Sequence, residues 1–141
     1  MNNNKKIGFT CSCFDLLHAG HILMLQDAKK QCDYLIVGLQ IDPSVDRPKE
    51  KNKPIQSLEE RKIQLEAIKY IDKIIVYKTE KELYSILCDI MPDIRILGSD
   101  YRNKKFTGQN LKIKTYYHKR NHNFSTSNLR KKISGTKPTS I

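Results

Sequence analysis

Apolar positions in this chain fall into short runs separated by stretches with helical spacing. The run from Lys6 to Cys13 reads as a strand that turns polar at its end, and Tyr34 to Gln40 reads as a second, buried strand. Lys73 to Tyr77 and Ile94 to Leu97 read as a third and a fourth, and Leu111 to Tyr117 alternates like an outer fifth. Between these runs the period changes. Ile22, Leu25, Ala28 and Cys32 fall near one helical face; Leu58, Leu65 and Ile68 mark a second helix running to about Lys69. Leu83, Ile86, Leu87 and Ile90 mark a third helix, which Met91-Pro92 ends. Ser57-Leu-Glu-Glu60 and Thr79-Glu-Lys-Glu82 are capping boxes, and Ser125 is an N-cap for a last helix to about Ile133. Strands alternating with helical crossovers predict an α/β fold with a parallel sheet covered on both faces.

The chemistry concentrates where the first strand gives way to the first helix, at Cys13-Phe14-Asp15-Leu16-Leu17-His18-Ala19-Gly20-His21. A helix N-terminus carries unpaired N–H groups and the positive end of the dipole, so it favours anions. Gly20 lets backbone come close, and His18 and His21 are spaced to donate hydrogen bonds to a phosphate. The same H-x-x-H spacing is also half of a metal site. No Glu follows the first His, however, and no third ligand cluster is visible. Strand, turn, glycine and paired imidazoles agree on phosphate. Ligands of such sheets bind outside the carboxyl ends of the strands, so the His18 turn and the Gly98-Ser99-Asp100 turn are expected to meet. Taken alone, Asp100 caps a turn or accepts a hydrogen bond from a ribose or a base.

Three further stretches extend the site. Ile41 to Gln56 is a long Pro- and charge-rich loop, in which Lys49, Lys51 and Lys53 alternate and can close over phosphates or simply face solvent. Arg61 falls on the apolar stripe of the second helix, where an arginine either meets an anion or snorkels to a surface carboxylate. Ser125, Thr126 and Ser127 form a helix start whose N–H groups and hydroxyls suit phosphate oxygens.

Length and charge sharpen the picture. At 141 residues the chain fits one domain, residues 1–133, followed by a disordered tail, 134–141. No apolar run is long enough for a membrane helix and no signal segment opens the chain, so a cytoplasmic location is expected. Cys11, Cys13, Cys32 and Cys88 do not space like a zinc site; Cys11 and Cys13, two apart, are expected on one face as small buried residues. The net charge of +11 is localised: residues 1–100 hold 15 basic and 15 acidic side chains, whereas 101–141 hold 11 basic and none acidic. Such a segment serves a polyphosphate, a nucleic acid or solvent. It interleaves a few aromatics but shows no nucleic-acid-binding signature, so a nucleic-acid module stands as the non-enzyme alternative.

The run Phe14-Asp15-Leu16-Leu17-His18-Ala19-Gly20-His21 resembles the H-x-G-H nucleotidyltransferases, in particular their glycerol-3-phosphate cytidylyltransferase branch and its adenylyltransferase relatives. Arg120-Asn-His-Asn-Phe-Ser125-Thr126-Ser127 is similar to that family's Arg-Thr-Glu-Gly-Ile-Ser-Thr-Thr signature. Asn121, His122 and Asn123 depart from it, as do Ser12 and Cys13 from the usual Gly-Thr of the first signature. The resemblance covers roughly residues 6–133 and implies a Rossmann-like domain that transfers a nucleotidyl group to a phosphomonoester with release of pyrophosphate. It implies His18, His21 and Arg120 as catalytic residues. It also implies Cys13, Phe14, Asp15, Gly20, Lys53, Asp100, Ser125, Thr126 and Ser127 around the nucleotide, and Arg61 on the acceptor's phosphate. Mg²⁺ is expected through the triphosphate, and a homodimer from the relatives. CTP with a glycerol 3-phosphate-like acceptor is the first expectation; ATP with a sugar phosphate is the alternative.

Overall fold

A computed structural model describes residues 4–138. Its strands are β1 (Ile7–Ser12), β2 (Tyr34–Gln40), β3 (Lys73–Tyr77), β4 (Ile94–Gly98) and β5 (Lys114–His118). They form one all-parallel sheet in the order β3-β2-β1-β4-β5. The helices are α1 (Ala19–Lys30), α2 (Leu58–Glu66), α3 (Glu80–Ile90) and α4 (Thr126–Ser134), and a 3₁₀ turn, Ser99–Tyr101, follows β4. The Rossmann-like α/β fold expected from the sequence is the fold observed.

Three boundaries move, each for a local reason. α2 ends at Glu66 because the Ala67 and Ile68 N–H groups bond back to Gln64 and Leu65, which tightens the last turn; Ile68 still packs on the core. β5 begins only at Lys114, because Leu111 and Ile113 pack against the α3-side core in a turn of their own. Of the expected tail, Ser134 closes α4, and the Gly135 and Thr136 N–H groups bond back to Lys131 and Ile133; residues 139–141 lie outside the described part.

β2 carries no polar side chain from Leu35 to Leu39 because both its faces are covered. Leu35, Val37 and Leu39 join Phe14, Leu25, Ala28, Leu65, Ile94 and Ile96 on the α1/α2 side. Ile36 joins Phe9, Tyr77, Leu83 and Leu87 under α3. Each fully buried Leu or Phe contributes about 1.5–3 kcal/mol relative to exposure. The connections reverse direction between β1 and β4, which opens a crevice at the carboxyl ends of the strands. Among the described residues no helix is long and apolar enough to cross a membrane.

Candidate active site

The turn between β1 and α1 is built under strain. Phe14 and Leu16 both have φ of 51°, a left-handed conformation unusual for side chains of that size. Tertiary bonds hold them there. Phe14 is buried in the core, and the Leu16 N–H donates to Gln56 Oε1 at 2.9 Å. Between them the buried Asp15 carboxylate accepts the Ile55 and Gln56 N–H groups, each at 2.9 Å, and meets Arg130 of α4 at 3.2 Å. One carboxylate thus ties the turn, the long loop and the last helix together.

His18 is the N-cap of α1. Its Nδ1 accepts the Gly20 N–H at 3.0 Å, and His21 Nδ1 accepts the His18 N–H at 3.2 Å. A backbone N–H can only donate, so both Nδ1 atoms are unprotonated and each neutral ring carries its proton on Nε2. The rings stack with centroids 3.9 Å apart. Burial holds both imidazoles below the usual histidine range, helped for His18 by Arg120 and His122 and for His21 by His18; His21 falls to about 4. Near neutral pH the site therefore presents two neutral N–H donors rather than two cations.

The opposite wall comes from the far end of the chain. Ser125 caps α4, its Oγ accepting the Asn128 N–H at 3.0 Å, and Thr126 Oγ1 lies 3.2 Å from His18 Nε2. The backbone of 124 approaches α1 so closely that a Cβ on Gly20 would stand 2.9 Å from the Phe124 carbonyl oxygen and 2.8 Å from His18 Cε1. Arg120 donates to that same carbonyl. Two helix N-termini thereby face each other across a cavity of about 920 Å³ that includes His18, His21, Arg120, Ser125 and Thr126.

Most expected site residues line this cavity: Cys13, Gly20, Asp100 and Ser127 do so with the histidines, Arg120, Ser125 and Thr126. Phe14 and Asp15 instead line a smaller pocket of about 280 Å³ that shares His21, Lys51 and Thr126 with the first. Three expectations change. Lys53 lies on neither wall; Lys51 lines both, because the loop turns Lys53 toward Asp42. Cys11 sits on the α3 face beside Tyr77, while Cys13, past the end of the strand, meets Arg61, so the two do not share a buried face. Arg61 is corrected most. It is 2% exposed, and it donates to the carbonyls of Gln56, Ser57, Cys13, Gln40 and Ile41. It knits the ends of β1 and β2 to α2, lines neither cavity and is in no ion pair among the described residues.

Arg130 and Arg95 were not singled out from the sequence. Arg130 reads there as one of several exposed helix cations, and its i+5 position from Ser125 gave no hint of Asp15. Arg95 carried a signal, a lone charge in an apolar strand, but nothing to say what it meets.

The cytidylyltransferase-like family matches residues 9–137. The chain belongs to this family. Similar curated proteins include the bifunctional protein HldE of Campylobacter jejuni (strain RM1221), 38% identical over 135 residues that make up 96% of this chain and 29% of that protein. The HldE of Wolinella succinogenes is 39% identical over 135 residues, 96% and 28% of the two. The chain spans less than a third of the length of these relatives. Among solved structures, a lipopolysaccharide core biosynthesis protein from Thermoplasma volcanium shares the fold, with a TM-score of 0.60 and 24% identity over 93% of this chain and 88% of that one. The pantothenate synthetase of Thermus thermophilus does so at 0.52 and 15% over 68% and 47%. As a cytidylyltransferase-like protein, the chain is a nucleotidyltransferase enzyme.

Proposed function

We propose that the chain transfers an adenylyl group from ATP to a sugar phosphate, releasing pyrophosphate. The relatives named HldE support this alternative over CTP and glycerol 3-phosphate. The single observation behind the catalytic roles is the meeting of His18 Nε2 and Thr126 Oγ1, 108 residues apart in sequence, between two helix N-termini.

An acceptor phosphate oxygen attacks the α-phosphorus, and the bond to the bridging oxygen breaks as pyrophosphate leaves. No proton has to move, so positioning and charge stabilisation carry the rate. His18 and His21 donate hydrogen bonds from Nε2–H to the α- and β-phosphate oxygens as charge shifts toward the leaving group. Ser125, Thr126, Arg120 and Lys51 hold the chain of phosphates from the other side. Of the residues lining the cavity only Glu80 and Asp100 are carboxylates, and among the described residues no cluster of ligating side chains could hold a metal by itself. The donor set suits phosphate oxygens, so Mg²⁺ would be held chiefly through the triphosphate and would offset charge developing on the leaving group.

The test is a screen for pyrophosphate with ATP or CTP against sugar phosphates and glycerol 3-phosphate. ATP with a sugar phosphate is expected to give the highest kcat/KM. A preference for CTP with glycerol 3-phosphate restores the other branch, and silence with every pair removes the proposed reaction.

A further inference from the structure

Past the two helix N-termini, the cavity continues over the edge of the sheet onto the α3 face. It ends there among polar side chains that the transfer step leaves unused. Gln40 and Arg95 line it and are each 3% exposed. Glu80, the first residue of α3, organises this end. Its carboxylate accepts Thr107 Oγ1–H at 2.9 Å and Gln40 Nε2–H at 3.2 Å, and its own N–H donates to Asp46. Arg95 donates from Nη1 to the Thr107 carbonyl, lies over the Phe106 ring at 5.0 Å, and has a buried Nε–H without a partner. Gly108, at φ of 85°, makes the turn that brings this carbonyl in: a Cβ there would stand 3.1 Å from Arg95 Nη1 and 2.6 Å from Leu87 Cδ1.

Neither Glu80 nor Arg95 is in an ion pair among the described residues; Thr107 alone bridges them. A half-buried carboxylate and a buried guanidinium held apart cost desolvation that a good ion pair would offset. The arrangement suits a ligand that needs both an acceptor and donors close together. Glu80 repels phosphate oxygens, so this end does not take the triphosphate. Of the rings at this end, Phe106 is covered by Arg95 and Tyr77 is buried against Cys11, so neither offers a free face to a base. Hydroxyl groups satisfy every member: they donate to the carboxylate and accept from the guanidinium and the amide.

We propose that Gln40, Glu80, Arg95 and Thr107 form the subsite for the polyhydroxylated body of the acceptor, a sugar phosphate whose phosphate points back toward His18 and His21. The assignment rests on the nucleotidyl-transfer reading and gives that reading its acceptor residues.

Calorimetric titration of the full chain with glucose 1-phosphate, mannose 1-phosphate, inorganic phosphate and, separately, ATP tests it. A hexose 1-phosphate is expected to bind more tightly than inorganic phosphate. Glu80→Gln and Arg95→Lys are each expected to weaken that binding by about tenfold or more, the usual scale for a hydrogen bond to a charged group, and to leave ATP affinity within about twofold. Thr107→Val, which keeps the side-chain shape, repeats the comparison should a charge variant lower the melting temperature. Hexose phosphates binding no better than inorganic phosphate overturns the subsite, as does an equal loss of ATP affinity in the variants. A chain that binds hexose phosphate as described but neither ATP nor CTP keeps the subsite and loses the transfer reaction.

Discussion

His21 shows how much one backbone bond decides. Because Nδ1 is occupied by the His18 N–H, a second proton on the ring has to break the cap of α1, and burial opposes the charge as well. In the unfolded chain His21 takes its proton below the usual 6.5, but in the folded chain only near 4. The unfolded state therefore binds more protons between those values. His21 costs stability progressively as pH falls from about 6.5 to about 4, and the loss levels off below, at no more than about 3 kcal/mol. Urea melts at pH 7 and pH 4.5 check the direction, and the acid limb of kcat/KM is expected well below 6.5. A limb centred at 6.5 would show an exposed, ordinary imidazole. Arg61 makes the opposite case. Arg61→Leu leaves several buried carbonyls unpaired and is expected to cost at least about 3 kcal/mol. At a temperature where the variant stays folded, its acceptor KM should remain near wild type. The sequence made Arg61 conspicuous, since a cation on an apolar stripe must be satisfied somehow, yet strand-end carbonyls as the partner appear only once β1, β2 and α2 are assembled.

At the scale of elements, the site is two helix starts pressed together, and Gly20 sets their spacing. Gly20→Ala inserts a methyl group against the Phe124 carbonyl, which is backbone and cannot swing aside. The α4 cap is expected to be displaced from His18, lowering kcat by about tenfold or more. Helix propensity by itself favours Ala by about 1 kcal/mol, so thermal stability should change little. A variant with unchanged kcat would mean that the two termini need not touch during turnover. The caps themselves were legible: Ser57, Thr79 and Ser125 stand where the local pattern put them, because an N-cap bond reaches only three residues along the chain. The Arg130–Asp15 pair, 115 residues apart, was not, because no local pattern encodes it.

Across the whole molecule, the reversal of strand order between β1 and β4 places the crevice, and the charge of residues 101–141 lies over it only in part. Arg120 and Lys105 line the cavity, while Arg102 and Lys104 lie over the rings of Tyr117 and Tyr101. A nucleotide that bridges α1 and α4 binds only the folded chain. ATP at 100 times its Kd is therefore expected to add about 2.7 kcal/mol of stability, visible as a raised Tm that His18→Ala diminishes. No rise at millimolar ATP would argue against nucleotide binding across those two termini.

The chain by itself determined the alternation of strands and helices, the caps, the parallel sheet and the H-x-G-H turn, because each depends on periodicity or on partners within a few residues. Tertiary structure alone decided that Thr126 meets His18, that Lys51 rather than Lys53 reaches the cavity, that Arg61 is spent on carbonyls and that Arg95 and Glu80 share Thr107. Those outcomes depend on where distant segments come to rest, and the energy of a hydrogen bond between them is not written in either segment.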